Sequence, residues 1–325
     1  MASSALRHHS ITANGIRFHL AEQGEGPLVL LCHGWPELRY SWRHQLPAVA
    51  AAGYRAVAPD MRDYGRTQAP NDVAAYSIVH LVGDVVALVQ VLGEKSAVIV
   101  GHDWGATVAW SAAMMRSDVF RAVATMSVPF RQRGPAPPLA LLRAMGLANF
   151  YWIYFQDPGV AEAEFERDVA STFRRFLSWS SSGQPRKASD SAGVLKPGGG
   201  FLDNAPVPKS LPAWLAEDDI AVMAGEFERT GFRGGLNWYR NLDRNWELTA
   251  PWAGARIEQP TLFIAGAADS VIAGPMGRNA LEQMPVTVPG LKRQLIIEGA
   301  GHWIQQEKAA EVNAALLAFL REHAA

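Results

Sequence analysis

The fold is decided by the stretch Val98-Ile99-Val100-Gly101-His102-Asp103-Trp104-Gly105. A β-branched apolar run ends in Gly-x-Asp-x-Gly, and an Ala/Val-rich helical pattern over residues 106–115 follows at once. This order predicts a strand, a sharp turn and a helix, the arrangement of a nucleophile elbow with a carboxylate in place of the usual serine. Small flanking residues let the strand and helix approach closely around a strained central residue. On this stretch alone, an aspartate that only caps the helix is an equally good interpretation.

Strand-like and helix-like patterns alternate along both ends of the chain. Asn14-Gly15 between apolar runs predicts a two-residue hairpin. The continuous apolar run over residues 27–32 predicts a strand buried on both faces, and the strand over residues 291–297 is also expected to be buried. The alternation predicts an α/β fold, a mostly parallel central sheet with helices on both faces. Strands are expected at residues 10–12, 16–20, 27–32, 54–58, 98–102, 122–128, 261–265 and 291–297, and helices at 41–52, 78–92, 106–115, 273–284 and 309–323.

The middle of the chain lacks this alternation. It is rich in aromatic residues, and helical patterns cover residues 161–179, 220–230 and 235–240. A polar, Gly- and Pro-containing stretch over residues 180–210 predicts a long loop, either a solvated excursion or a mobile flap. We therefore expect a first core part over residues 1–130, a helical cap over 131–250 and a second core part over 251–325.

Composition excludes several classes of protein. The 30 basic and 31 acidic residues give a net charge of −1, which offers no electrostatic attraction to nucleic acid or to an anionic membrane. The single cysteine, Cys32, rules out an internal disulfide and fits a reducing compartment. No apolar run has the length of a membrane span, and the amino terminus lacks a signal-peptide core. A cytoplasmic protein is expected.

Candidate catalytic residues follow four of the predicted strands. His33-Gly34-Trp35-Pro36 follows the first, Asp103 the second, Asp269 the third and the Gly-flanked His302 the fourth. The carboxyl ends of parallel strands meet along one edge of the sheet, where crevices open. Nucleophile, acid and histidine in this chain order match the α/β-hydrolase triad. The four strand ends together favour a catalytic His302 over a solvated one.

These motifs identify a family resemblance that covers nearly the whole chain. The sequence resembles a soluble epoxide hydrolase of the α/β-hydrolase fold. The segments that carry the resemblance are His33-Gly34-Trp35-Pro36-Glu37, Gly101-His102-Asp103-Trp104-Gly105, Gly301-His302-Trp303, the run from Phe150 to Gly159 and the run from Gly234 to Asn241. Two departures are visible: Asp63 stands where the family usually has Gly, and Thr67 replaces a usual Ser. Neither departure is expected to affect the chemistry.

The resemblance implies that Tyr151 and Tyr239 are cap tyrosines that hydrogen-bond the epoxide oxygen, with Tyr154 as the competing choice in the first segment. A carboxylate attacks a strained carbon without prior deprotonation, so Asp103 would open the ring and form an alkyl ester. Phenols of pKa ~10 are protonated at neutral pH and can donate to the departing oxygen.

In the second step His302 would activate water to hydrolyse the ester, with Asp269 fixing the histidine tautomer. The backbone N–H groups of Trp35 and Trp104 would hold the oxyanion. Trp104, Trp152 and Phe155 are expected to line a largely apolar pocket. The products would be vicinal diols, and neither a cofactor nor a metal is needed.

Two other functions remain open at this point. A haloalkane or haloacid dehalogenase could use the same Asp-His-Asp triad, although it gains nothing from two phenols. A catalytically silent, ligand-binding member of the fold usually has a broken triad, whereas all three positions are filled here. We expect a hydrophobic epoxide and water as the only partners, no nucleic acid, no membrane, and a monomer or homodimer.

Overall fold

The structure is a computed structural model that describes residues 5–183 and 193–324. Eight strands form one sheet in the order β1-β2-β4-β3-β5-β6-β7-β8. The β1–β2 and β2–β4 pairs are antiparallel, and all other neighbours are parallel. The strands are β1 (Arg7–Ala13), β2 (Ile16–Gln23), β3 (Leu28–Cys32), β4 (Arg55–Pro59), β5 (Ala97–His102), β6 (Phe120–Met126), β7 (Thr261–Gly266) and β8 (Leu291–Ile297).

Apolar clusters cover both faces of the sheet. Alternate residues of a central strand belong to different clusters: Leu30 packs into one and Leu31 into the other. This two-sided burial explains why the central strands are continuous apolar runs rather than alternating ones. The hairpin at Asn14-Gly15 is confirmed, since Ala13 pairs with Ile16. The prediction that β8 is buried was wrong, because β8 is an edge strand with exposed positions.

Helices flank the sheet and form the segment between β6 and β7. Apart from one bridge between Phe150 and Val194, the described residues of that segment form no strand. The helices are α1 (Gln45–Ala51), α2 (Ile78–Val91), α3 (Trp104–Met115), α4 (Pro138–Ala144), α5 (Tyr151–Tyr154), α6 (Val160–Phe165), α7 (Val169–Trp179), α8 (Glu217–Thr230), α9 (Arg233–Arg240), α10 (Leu242–Leu248), α11 (Ser270–Ala273), α12 (Pro275–Thr287), α13 (Ile304–Glu307) and α14 (Ala309–His323), with 3₁₀ turns at Arg39–Trp42, Val73–Tyr76, Leu202–Asn204 and Ala250–Trp252.

Several predicted helices have different bounds in the structure. The predicted helix over 161–179 is two helices, because Asp168 adopts an extended backbone and caps α7 through the N–H of Ser171. The predicted helix over 273–284 is also divided: its first residue, Ala273, ends α11, and α12 begins at Pro275. The predicted helix over 41–52 begins as a 3₁₀ turn. Helices α4, α5 and α10 were not predicted.

The predicted loop over residues 180–210 lies partly outside the described residues, which resume at 193. The part that is described includes a 3₁₀ turn at Leu202–Asn204. Helices α4 to α10 fall within the predicted cap over 131–250, where residues such as Phe155 and Phe165 share one apolar cluster with the sheet. Leu139 and Leu142 of α4 form a separate cluster with Phe150. Across the described ranges, every helix is too short or too polar to cross a lipid bilayer.

Candidate active site

Asp103 occupies the sharp turn between β5 and α3. Its backbone has φ 53° and ψ −120°, a strained conformation for a residue with a side chain. It stands at the N-cap position of α3, but its carboxylate makes no capping hydrogen bond. A Cβ on Gly105 would lie 2.0 Å from the carbonyl oxygen of Cys32, so only glycine lets α3 approach the neighbouring strand. The strand, sharp turn and helix of the predicted elbow are therefore present, and the carboxylate of Asp103 does not cap α3.

The loop after β3 supplies a hydrogen bond to this carboxylate. The backbone N–H of Trp35 donates to Asp103 Oδ1 at 2.8 Å. A Cβ on Gly34 would lie 2.4 Å from both Cβ and Oδ1 of Asp103, so glycine is required for this approach. Trp104 is the first residue of α3, and its N–H therefore has no acceptor within the helix. Trp35 and Trp104, the residues predicted as oxyanion donors, both lie beside Asp103.

His302 lies between Asp103 and Asp269. Its Nδ1 is 3.1 Å from Asp269 Oδ2, and its Nε2 is 3.5 Å from Asp103 Oδ2. Burial alone would lower the pKa of His302, but Asp269 and Asp103 raise it well above the usual value. Burial likewise opposes ionisation of Asp269, yet His302 lowers its pKa. The three side chains that come from three strand ends form one connected set.

The backbone of the His302 loop is held by residues that the sequence analysis did not assign to the site. The carbonyl oxygen of His302 accepts hydrogen bonds from Ser127 Oγ at 2.8 Å and lies 2.8 Å from His102 Nε2. The other ring nitrogen of His102 faces Glu37 Oε2 at 2.7 Å. Burial works against the ionisation of Glu37, but the imidazole of His102 lowers its pKa to about 2.

Glu307 holds the same loop from its other side. Its carboxylate accepts from the N–H groups of Gly301 at 2.8 Å and Trp303 at 3.0 Å, the two neighbours of His302. It also accepts from the N–H of Ser182 at 3.0 Å. Gly301 and Trp303 lie only six and four residues before Glu307, whereas Ser182 is brought to it by the fold.

Tyr151 and Tyr239 meet beside Asp103. Their ring centroids are 5.8 Å apart, and the ring of Tyr239 lies 5.1 Å from that of Trp104 and 5.7 Å from that of Trp35. Burial raises the pKa of Tyr151, and the charge of Asp103 raises it further. Burial, Tyr151 and Asp103 raise the pKa of Tyr239 well above its usual value. Both hydroxyls are therefore protonated at neutral pH and able to donate.

Tyr154, the competing choice, is directed to a different place. Its hydroxyl donates to Glu164 Oε2 at 2.9 Å, within the helical segment. Aromatic rings surround the two site tyrosines instead. Phe155 is fully buried, 5.0 Å from Tyr239 and 5.2 Å from Trp35, and Trp152 packs 6.1 Å from Tyr151. Phe201 completes this wall at 5.8 Å from Tyr151, a residue not expected from the sequence.

The groups at the site suit acid, base and nucleophilic chemistry. Within the described ranges, no group of three or more His, Cys, Asp or Glu residues is arranged to hold a metal ion. A carboxylate nucleophile, an imidazole held by a second carboxylate, and two phenols in an aromatic wall can attack a carbon, protonate the leaving oxygen and activate water.

Comparisons with known proteins agree with this geometry. The chain matches the family model described as alpha/beta hydrolase fold over residues 27–309. Epoxide hydrolase A of Mycobacterium tuberculosis is 48% identical, over 95% of this chain and 96% of that protein. The solved epoxide hydrolase from an endophytic Streptomyces is 48% identical with a TM-score of 0.93, covering 97% of this chain and 95% of its own. Epoxide hydrolase A from Mycobacterium thermoresistibile is 46% identical with a TM-score of 0.92, covering 98% of this chain and 99% of its own.

Proposed function

Since the chain belongs to the epoxide hydrolases of the α/β-hydrolase fold, we propose that Asp103 is the nucleophile that opens its epoxide substrate. The observation that carries this assignment is the position of the Asp103 carboxylate between the N–H of Trp35 and the imidazole of His302. One carboxylate oxygen attacks an epoxide carbon, the C–O bond of the ring breaks, and an alkyl ester of Asp103 forms.

Tyr151 and Tyr239 protonate the departing oxygen. The alkoxide that leaves is strongly basic, and phenols that remain protonated at neutral pH can hydrogen-bond it before attack and transfer a proton during attack. Their proximity to each other and to Asp103 supports this role. Both tyrosines come from the helical segment, which we propose is the cap over residues 131–250 on a core formed by residues 1–130 and 251–325.

His302 is the base of the second step. Esterification removes the negative charge of Asp103, one of the two charges that raise the pKa of His302. The pKa of the imidazole then falls, so its neutral form, which can accept a proton from water, is available when the ester must be hydrolysed, while Asp269 keeps its Nδ1 protonated. Water attacks the ester carbonyl, and the N–H groups of Trp35 and Trp104 hold the oxyanion until the diol leaves.

The substrate that fits best is a hydrophobic epoxide. Trp35, Phe155 and Phe201 present apolar rings around the two phenols, and Trp104 and Trp152 extend this wall. A panel of aryl, terpene and fatty-acid epoxides, with diol formation followed by chromatography, tests this. Hydrolysis of only small polar epoxides would contradict it. A monomer or homodimer in a cytoplasmic setting stays a prediction.

The experiment that tests the mechanism is the double substitution Tyr151→Phe and Tyr239→Phe. Loss of both proton donors is expected to slow ring opening by about 10²- to 10⁴-fold, the usual contribution of general acid catalysis. The thermal transition should stay near the wild-type value, because both rings remain in the aromatic wall. Tyr154→Phe is the matched control and should keep nearly full activity. Full activity in the double variant would contradict the assignment.

Neither alternative function is favoured. The close relatives are epoxide hydrolases rather than dehalogenases, and the two phenols serve a leaving alkoxide. A silent binding protein does not require the connected set of Asp103, His302 and Asp269. Halide release from a chloroalkane at a rate comparable with epoxide opening would favour the dehalogenase.

A further inference from the structure

Asp63, in the loop after β4, faces the first turn of α9, the helix that carries Tyr239. The residue is only 7% exposed. A Cβ on Gly234 would lie 2.0 Å from Asp63 Oδ2 and 2.3 Å from its Cβ, so the side chain lies directly on the helix backbone. The next residue, Tyr64, packs edge-on against Trp238 with ring centroids 5.5 Å apart. The loop and the helix therefore fit each other closely.

We propose that Asp63 is a positioning residue whose ionised carboxylate seats the first turn of α9 and so sets where the phenol of Tyr239 stands beside Asp103. This inference rests on the proposed role of Tyr239 as proton donor. Gly234 and Tyr239 belong to one short helix, so a displacement of its first turn moves the phenol as well. Displacements near 1 Å can slow a reaction by about 10²-fold, because the reacting groups lose alignment.

The charges around Asp63 favour attraction to α9. The carboxylate stands at the helix N-terminus, where the partial charge is positive, and Arg233 Nη2 lies 4.0 Å from Oδ2. The other cations near the loop are bound elsewhere: Arg62 pairs with Asp84, and Arg229 pairs with Glu226 and the carbonyl oxygen of Gly65. The remaining titratable neighbours are the phenols of Tyr64 and Tyr76.

The contacts of the Tyr76 hydroxyl fit a protonated Asp63. This hydroxyl lies 2.7 Å from Asp63 Oδ2 and 2.6 Å from the carbonyl oxygen of Pro70, two acceptors for a single proton. Protonated Asp63 can donate to Tyr76 while Tyr76 donates to Pro70, and every short contact then contains a hydrogen. Burial raises the pKa of Asp63 to about 6, although Tyr76 and Arg233 oppose the rise. The Asp63 carboxylate, against which the first turn of α9 packs, therefore gains or loses its charge near neutral pH.

The backbone at Asp63 makes glycine a useful replacement. Asp63 has φ 64°, in the left-handed region that glycine adopts freely. Asp63→Gly relieves this strain while it removes the carboxylate and leaves a gap beside Gly234. Asp63→Asn keeps nearly the same shape and removes only the ionisation. A loss of function in both variants is therefore not explained by unfolding or by shape alone.

The test is single-turnover kinetics with styrene oxide, following the tryptophan fluorescence change as the ester forms and decays. Wild-type ring opening is expected to slow as the pH falls from 7.5 to 5.5, with a midpoint near the pKa of about 6. At pH 7.5, Asp63→Asn and Asp63→Gly should open the ring about two- to fivefold more slowly, the ratio that corresponds to the usual interaction free energy of a carboxylate with a helix N-terminus. Both should lack that midpoint and hydrolyse the ester at the wild-type rate.

Two further variants locate the effect. Arg233→Gln removes the cation that favours ionisation and should move the midpoint to higher pH. Asp72→Asn is the control. Asp72 is an exposed carboxylate between β4 and α2 that accepts a hydrogen bond from the N–H of Ala74, and an asparagine can accept the same bond. This substitution should change neither step.

Each outcome decides between the assignments. Wild-type rates and an unchanged midpoint in both Asp63 variants would overturn the positioning role. Equal slowing of ring opening and ester hydrolysis would overturn it too, because that pattern indicates general distortion. If Tyr239→Phe slows ring opening and the Asp63 variants do not, only this inference fails. If Tyr239→Phe has no effect, the proposed function itself fails.

Discussion

At the residue scale, the chemistry depends on the change of charge around His302. In the free enzyme this imidazole stands between Asp103 and Asp269, and both carboxylates raise its pKa. In the proposed mechanism, ester formation leaves only Asp269 charged, so the pKa of His302 falls and the neutral imidazole can accept a proton from water. The charge of the proposed nucleophile would thus control when the proposed base becomes active.

Replacing His302 should trap the covalent intermediate. His302→Gln removes the base of the second step but leaves Asp103, Tyr151 and Tyr239 in place, so ring opening continues and ester hydrolysis falls by about 10²- to 10⁴-fold. Mass spectrometry of the intact protein should show one added substrate mass, on the peptide that contains Asp103. His9→Gln, far from the site on β1, should show no adduct. An adduct on any other residue would refute the nucleophile.

At the scale of single elements, the elbow depends on the absence of side chains. The strand β5 and helix α3 meet so closely that a Cβ on Gly101 would lie 2.1 Å from the carbonyl oxygen of Gly105. Such contacts with backbone atoms cannot be relieved by a side-chain rotation. The glycines therefore set the height at which Asp103 stands above the sheet.

Gly105→Ala should damage both stability and activity. The new methyl group would overlap the carbonyl oxygen of Cys32, and overpacking of this kind typically costs about 1–3 kcal/mol. We expect a lower midpoint of urea unfolding and slower ester formation. Gly225→Ala is the matched control on the exposed face of α8, where nothing beyond the adjoining residues and backbone of the helix lies within 4 Å of the new methyl group. It should stabilise the protein by about 0.5–1 kcal/mol through helix propensity.

An unchanged midpoint of urea unfolding in Gly105→Ala would show that α3 can move away from β3 without loss of stability. The elbow would then not be held by close packing.

At the scale of the whole molecule, ionisation of Asp63 has opposite effects on the position of α9 and on the free energy of unfolding. Its pKa is about 6 in the folded protein against 3.8 for an ordinary aspartate, so the folded state binds this proton more tightly than the unfolded chain does. The fold therefore loses stability from this group as the pH rises through that range. Ionised Asp63 positions α9 but destabilises the protein.

Asp63→Asn should therefore stabilise the protein at high pH although it slows ring opening. Since the asparagine does not ionise, its advantage in free energy of unfolding over wild type should be larger at pH 8 than at pH 4.5 by about 2 kcal/mol. Urea unfolding at the two pH values measures the difference, with Asp72→Asn as the control. An advantage that is the same at both pH values would contradict the raised pKa.

The sequence predicted much of the sheet and, at its strand ends, the residues that we propose as catalytic. The bounds of β8 and α14 agree with the expected residues 291–297 and 309–323, because apolar periodicity and flanking glycine or polar residues mark them locally. It failed where an element depends on its surroundings. The break between α6 and α7 depends on the conformation of Asp168, and the exposure of β8 depends on its place at the edge.

Local sterics and residue chemistry, which are readable along the chain, were enough to indicate the elbow at Asp103 and the triad order with Asp269 and His302. The tertiary structure alone decided that the rings of Tyr151 and Tyr239 stand 5.8 Å apart, and that Asp63 lies on α9. The physical reason is that these contacts join segments distant in sequence. Their distances, burial and pKa values exist only after the helices pack over the sheet.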